Sequence, residues 1–261
     1  MKILVAGKGG VGKTTTSALL AYELSKKGYK VLALDTDSVP NLAQSLGLSF
    51  EEASRIVPLS RNDELAAERT GAKPGEGWGV FFSLTPKVDD LVEKYGIRLN
   101  SNLTLVVVGS IEQSKEGCLC PAIALAKAFL RHVLLEENEI VLVDSEAGAE
   151  VFGRGLAEKF DIMLCVAEPT LKSLQIAKKL LEMGKELEID NLGLIVNKVR
   201  NKEAVPRLYS QVFSNAEIPF YMLSFDESII EAENLDKGVE AVPEASPIKR
   251  DIKKLVENLF S

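Results

Sequence analysis

Gly7-Lys8-Gly9-Gly10-Val11-Gly12-Lys13-Thr14 fits the spacing G-x-x-x-x-G-K-[ST], directly after an apolar run and at the start of a helical pattern. That spacing belongs to phosphate chemistry. The glycines let consecutive backbone N–H groups turn inward around phosphate oxygens, at a helix N-terminus that already favours negative charge. Lys13 is placed to reach the β- and γ-phosphates of a nucleoside triphosphate, and the Thr14 hydroxyl to bind Mg²⁺. The nucleotide contacts expected of the loop are Gly9, Gly10, Val11, Gly12, Lys13, Thr14 and Thr15.

Carboxylates complete the pattern. Asp144 ends the apolar run EIVLVD, at the sheet edge where α/β proteins bind ligands, and can hold the Mg²⁺ shell. Asp35 and Asp37 fall at the end of another apolar run and reach the same edge. Either can orient or deprotonate an attacking water, and Asp37 joins Thr14 and Asp144 as a candidate Mg²⁺ residue. A strand-end aspartate can equally be a helix cap. Gly148, in DSEAGAE, is placed to offer its N–H to a γ-phosphate and to hinge a switch loop. At the base end, Asn197-Lys198-Val199 is followed by Arg200, where a guanine-reading carboxylate would stand. ATP is therefore expected rather than GTP, with Asn197 offering adenine both a donor and an acceptor and Lys198 beside it.

Two features exceed what nucleotide binding needs. Lys8 leaves the loop before the helix, while Lys13 already serves the chain's own nucleotide. A solvated surface lysine is the plain alternative. Its place inside the loop favours a phosphate, and the available one is the nucleotide of a second subunit packed face to face. Catalysis by Lys8, Lys13 and Asp37 would then depend on a homodimer. Cys118 and Cys120 flank Leu119 in a polar loop, and Pro121 opens the helical run AIALAKAFL. Proline suits a first helical turn, so both thiols lie at the positive end of a helix, which favours thiolate. Metal binding is the favoured reading, with a redox dithiol or two ordinary loop cysteines as alternatives. Two thiolates cannot complete a four-coordinate site, but a two-fold dimer supplies four. Cys165 lies in an apolar strand and reads as core, and the single histidine, His132, offers no imidazole store for a metal.

The elements that must position these groups follow from periodicity. Runs at 2–6, 30–35, 103–108, 139–144, 161–168 and 192–197 are apolar on both faces and read as buried strands. Helix-length stretches follow them, for example at 13–27 and 171–188. This alternation predicts a doubly wound α/β fold, a mostly parallel sheet covered by helices on both faces. A late strand at 218–222 and a closing helix at 248–260 complete it. The segment at about 49–97, with AKPGEGWG at 72–79, reads as a helical and loop elaboration of one domain spanning 1–261.

Composition narrows the function classes. The chain has 261 residues, 46% hydrophobic and 26% charged, enough for one large domain. Lys+Arg at 31 against Asp+Glu at 38 gives a net charge of −7, so no global basic field points to nucleic acid. MKILVAG leads straight into a strand, and no apolar run approaches a membrane-spanning length, so a cytoplasmic protein is expected, without a membrane partner. The closing helix pairs an apolar stripe (Ile248, Ile252, Leu255, Val256, Leu259) with Lys249, Arg250, Lys253 and Lys254, which also suits a membrane surface. Asp251 and Glu257 dilute that basic face, and packing on the sheet is the favoured reading. Three cysteines in a reducing compartment do not make a disulfide framework.

Lys8 within GKGGVGKTT makes the chain resemble the deviant Walker A ATPases, among them the nitrogenase iron protein, the partition and division-site ATPases and the arsenite-pump ATPases. More narrowly, it resembles the CooC type, the nickel-insertion accessory ATPase of carbon monoxide dehydrogenase. The resemblance covers nearly the whole chain and includes LGLSFEEA at 46–53, TGAKPG at 70–75, CLC at 118–120, DSEAGAE at 144–150, AEPTLKSL at 167–174 and VNKVRN at 196–201. The loop alone identifies only the superfamily, whereas the Cys-x-Cys with Asp-x-Glu-Ala-Gly is far narrower.

The resemblance implies an ATP-driven homodimer of the phosphate-loop class that delivers Ni²⁺ to apo carbon monoxide dehydrogenase. Cys118 and Cys120 would hold Ni²⁺, or Zn²⁺, at the dimer interface. On matching positions, Lys8 would be the trans lysine, Lys13 and Thr14 the phosphate and Mg²⁺ residues, Asp37 the water-activating acid and Asp144 the second-switch acid. The family's second-strand motif usually reads Asp-x-Asp-Pro, whereas here Ser38 and Val39 separate Asp37 from Pro40. The first switch loop therefore departs from the family's geometry. Two other classes share parts of the pattern: an iron–sulfur carrier with a dimer-bridging cluster, and a metal-free positioning ATPase.

Overall fold

The structure is a computed structural model that describes residues 1–71, 87–110, 121–135, 140–146, 148–149, 153–213 and 218–260. Its centre is an eight-stranded sheet. The strands are β1 (Lys2–Gly7), β2 (Val31–Asp35), β3 (Ile97–Arg98), β4 (Leu103–Val107), β5 (Ile140–Asp144), β6 (Ile162–Ala167), β7 (Asn191–Val199) and β8 (Phe220–Ser224). Their order is β3-β4-β2-β5-β1-β6-β7-β8, parallel throughout except for β3, which runs antiparallel to β4. The doubly wound, mostly parallel sheet expected from the buried apolar runs is what the chain forms. β3 escapes sequence reading because two residues are too few to show a period.

Helices cover both faces. They are α1 (Lys13–Lys26), α2 (Leu42–Ser45), α3 (Phe50–Ser54), α4 (Asp63–Thr70), α5 (Leu91–Tyr95), α6 (Pro121–Leu135), α7 (Arg154–Ala157), α8 (Leu171–Glu186), α9 (Ala204–Val212), α10 (Glu227–Asn234) and α11 (Pro247–Leu259). Alternation along β1 shows how the sheet divides its contacts. Ile3 and Val5 join a core with Leu19, Leu20 and Leu24 of α1, while Leu4 and Ala6 join one with Leu125, Phe129 and Leu130 of α6. A third cluster packs Leu174, Ala177 and Leu181 of α8 against Cys165 and Val196.

The elaboration at 49–97 contributes α3, a 3-10 turn at Leu59–Arg61, α4, α5 and β3, and its glycine-rich stretch at 72–79 lies outside the described residues. α3 opens on a capping box, with Ser49 and Glu52 satisfying each other's backbone N–H. The helix expected over 171–188 stops at Glu186, because Glu188 turns left-handed at φ 64° to start the descent into β7.

The closing helix packs inward. Ile248, Ile252, Leu255 and Val256 of α11 are buried in the α1-side core, between α1 and β8. No helix among the described residues is long and apolar enough to cross a membrane. Ile252 is 1% exposed. Ile252→Ala is expected to lower the unfolding free energy by about 2–5 kcal/mol, read from urea titration. A loss well under 1 kcal/mol would show that this stripe is not part of the core.

Candidate nucleotide site

β1 ends at Gly7 and α1 begins at Lys13, so the loop turns the chain from sheet to helix in five residues. Backbone crowding dictates two of its glycines. A Cβ on Gly7 would stand 2.4 Å from the Val166 carbonyl oxygen of β6, and one on Gly12 would stand 2.3 Å from Asn197 Nδ2. Gly12 is also left-handed, at φ 92°. Added Cβ atoms on Gly9 and Gly10 would meet nothing within 4 Å. No side chain caps α1, so its first N–H groups remain available at the positive end of the helix dipole. They face a cavity of about 630 Å³, lined at this end by Gly9, Gly10, Gly12, Lys13, Thr14 and Thr15. Val11 is buried beneath the loop, where its carbonyl accepts the Asn197 amide at 2.9 Å.

The carboxylates arrive on neighbouring strands. Asp35 of β2 and Asp144 of β5 are paired in register, and Asp144 in turn pairs with Val5 of β1. Burial raises Asp144 to about 6, against the pull of hydrogen bonds from the Thr14 and Ser17 hydroxyls and the charge of Lys13. The Ser17 bond is 3.0 Å. Asp144 and Thr14 are thus already in contact, as a shared Mg²⁺ shell requires. Asp35 is a different case. Fully buried, its carboxylate accepts the N–H groups of Asp37 at 3.1 Å and Leu42 at 2.9 Å, pinning the loop after β2 and the start of α2. Burial and the charge of Asp144 push it up to about 7. Of the two acids at the end of β2, only Asp37 lines the cavity.

Sequence reasoning gave Glu146 no role. It lines the cavity two residues beyond Asp144, and its Oε2 accepts the Ser38 N–H at 3.3 Å. The Ser38 hydroxyl and N–H and the charge of Lys13 hold its carboxyl below the usual range against some burial. Arg61, from the elaboration, holds the same residue through a 2.8 Å bond to the Ser38 carbonyl. Lys13 is buried, with Nζ 3.4 Å from the Lys8 carbonyl oxygen. The Lys8 side chain is exposed, without a partner among the described residues. Gly148 is a buried residue beyond Glu146.

At the far end of the cavity stand Phe225, Ile229 and Ile230, from the turn after β8 and from α10. Sequence reading missed this apolar wall, because only the return of β8 beside β7 brings it to the loop. Arg200 stacks on Phe225, with its guanidinium carbon 3.6 Å from the ring centroid. Asn197, expected to address the base, holds its amide against the loop; Lys198 does likewise, bonding the Gly10 carbonyl at 2.7 Å and Glu168 at 2.8 Å. Ser224, before the turn, is fixed by Asp251 through bonds of 2.8 and 2.6 Å. Cys118 and Cys120 lie outside the described residues. Cys165 is buried in β6 and His132 half-buried on α6.

An uncapped helix, an inward lysine, a hydroxyl–carboxylate pair and an apolar end wall suit a nucleotide with Mg²⁺ and define a phosphate-loop nucleotide-binding protein. The CobQ/CobB/MinD/ParA nucleotide binding domain family matches residues 2–239, and the chain belongs to it. An uncharacterised ATP-binding protein of Methanocaldococcus jannaschii is 43% identical over 100% of this chain and 96% of its own length. The carbon monoxide dehydrogenase accessory protein CooC of Rhodospirillum rubrum is 42% identical over 76% of this chain and 74% of its own. The septum site-determining protein MinD of Pyrococcus horikoshii, solved with Mg-ADP, shares the fold with a TM-score of 0.69 at 22% identity, over 99% of this chain and 95% of that one. The chain is a CooC homologue and an ATP-binding protein, as an ATPase of this family must be.

The buried aspartates make stability depend on pH. Asp35, at about 7 against an ordinary 3.8, holds a proton in the folded protein that the unfolded chain has given up. Its contribution is complete below the unfolded value and is lost as pH rises towards 7; Asp144, at about 6, acts in the same sense. The nucleotide-free protein should therefore lose stability between about pH 4 and 7 in urea titrations, and Asp35→Asn should flatten that slope. An unchanged slope in Asp35→Asn would contradict this assignment.

Proposed function

We propose that the chain works as a homodimeric ATPase that binds Ni²⁺ through Cys118 and Cys120 and helps insert it into carbon monoxide dehydrogenase. The observation that carries the reading is the conjunction of a complete phosphate cavity with 42% identity to CooC over 76% of the chain. In this reading Lys13 and the loop N–H groups from Gly9 to Thr15 hold the phosphates. Thr14 and Asp144, with Asp37, would hold the Mg²⁺, which would supply positive charge against the phosphates. Asp37 orients the attacking water, because Asp35 is committed to backbone N–H groups and cannot reach the cavity. Gly148 contributes its N–H at the second switch, and Lys8 reaches the nucleotide of the facing subunit.

The topology supports a link between metal and nucleotide. β4 is parallel to β2, with Val107 opposite Asp35, so the connection that carries both cysteines leaves the sheet at its nucleotide edge and enters α6 at Pro121. A two-fold pair of such chains supplies four thiolates, a set that satisfies Ni²⁺ or Zn²⁺. The reading further takes residues 1–261 as a single cytoplasmic domain with the elaboration at about 49–97, working without nucleic acid or membrane.

Elemental analysis of the purified protein tests the metal site. One nickel or zinc per two chains is expected, lost in Cys118→Ser or Cys120→Ser and kept in Cys165→Ser. One metal per chain, retention in the Cys118→Ser/Cys120→Ser double variant, or a brown iron–sulfur chromophore would count against it.

A further inference from the structure

We propose that Glu146 is the residue that makes this cavity distinguish nucleotides with a γ-phosphate from those without one. The inference rests on the nucleotide reading of the cavity and is independent of the metal. Glu146 comes from the segment after β5, yet its Oε2 bonds the Ser38 N–H of the loop after β2 at 3.3 Å. The Ser38 hydroxyl reaches Asp37 Oδ1 at 3.4 Å, and Arg61 holds the Ser38 carbonyl at 2.8 Å. Glu146 therefore closes a clasp between the two strand-end loops, directly beside the acid that faces the cavity.

Charge decides what can open that clasp. Glu146 and Asp37 line the same cavity as Lys13, whose Nζ is bonded to a carbonyl of its own loop at 3.4 Å. The loop N–H groups and Lys13 are cations or positive dipole ends matched to phosphate. Glu146 is exposed at the cavity, its carboxylate drawn by the charge of Lys13 and hydrogen-bonded to Ser38, so a group that adds negative charge there competes with it for Lys13 and meets its repulsion. A nucleoside diphosphate fits the loop without that conflict. A terminal γ-phosphate brings its charge towards the two strand-end loops, so it is accepted fully only when Glu146 releases Ser38. Release leaves the Asp37 loop held by Arg61 alone on that side. Glu146 is thus a positioning residue: it sets the loop that carries Asp37 according to the phosphate present.

Two variants separate charge from clasp. Glu146→Gln keeps an acceptor for the Ser38 N–H and removes the charge, whereas Glu146→Ala removes both. The full chain would be titrated calorimetrically with Mg²⁺-ADP and with the Mg²⁺ complex of β,γ-imido-ATP, so that no turnover enters the readout. Both variants should bind the imido analogue about five- to tenfold more tightly than the parent, with Mg²⁺-ADP changed less than about twofold. An unchanged ratio, a change in only one variant, or an equal change for both nucleotides would overturn the proposal. If the parent chain binds neither nucleotide, the cavity reading itself fails, and this inference with it.

Discussion

The turn from Gly7 to Lys13 is the constraint on which the rest of the molecule depends. Five residues must reverse from a central strand into a helix while leaving the helix's first N–H groups without internal partners. That is tolerable only if neighbours hold the loop from outside. Val166 packs within van der Waals reach of Gly7, Asn197 braces the Val11 carbonyl and Lys198 braces the Gly10 carbonyl. All three belong to β6 and β7, on the side of β1 away from β2 and β5. The sheet order thus divides labour: β6 and β7 support the loop, while β2 and β5 deliver acids to it.

The acids are divided in the same way. Asp35 and Asp144 lie opposite each other in the ladder and are buried, so each costs solvation and each has a compensating role. Asp35 holds backbone; Asp144 holds Thr14 and Ser17 at the start of α1. Asp37 and Glu146 line the cavity instead, on the loops that follow β2 and β5. Buried carboxylates thus stand behind more exposed ones: Asp35 and Asp144 fix the frame, and Asp37 and Glu146 form the wall the cavity presents. Arg61 extends this to the elaboration, because the 3-10 turn that carries it also packs Ser60 against Gly109, and the Ser60 N–H bonds the Val108 carbonyl at 2.9 Å.

How much of this could be read from the residues alone follows from their physics. The loop was legible because its glycines and lysine sit at fixed spacing between a strand and a helix, and the strands because burial on both faces removes polar positions. Asp144 and Asp37 are legible as strand-end acids, Asp37 ahead of Asp35 only through the family resemblance; what Asp35 does instead, holding the N–H groups of Asp37 and Leu42, shows only in the fold. Asn197 is expected at the base from sequence; that its amide also donates to the Val11 carbonyl and braces the loop depends on a tertiary approach that no local pattern encodes. Phe225 and Ile230 had no signal either, since β8 and α10 bring them to the cavity only through the sheet order. Glu146 had a faint one, an extra acid two residues beyond the strand end.

In the proposed homodimer, Lys8 is the residue that would complete the site of the second copy. Its backbone shapes the loop and its carbonyl receives Lys13, while its side chain projects to solvent. ATP turnover measured across a range of protein concentrations, for the parent chain and for Lys8→Ala, tests the dimeric account most directly. The parent's rate per chain should rise with concentration, and Lys8→Ala should bind Mg²⁺-ATP normally while turning over about a hundredfold or more slowly at every concentration. A Lys8→Ala protein that hydrolyses ATP at the parent rate, or a parent rate per chain independent of concentration down to full dilution, would contradict it.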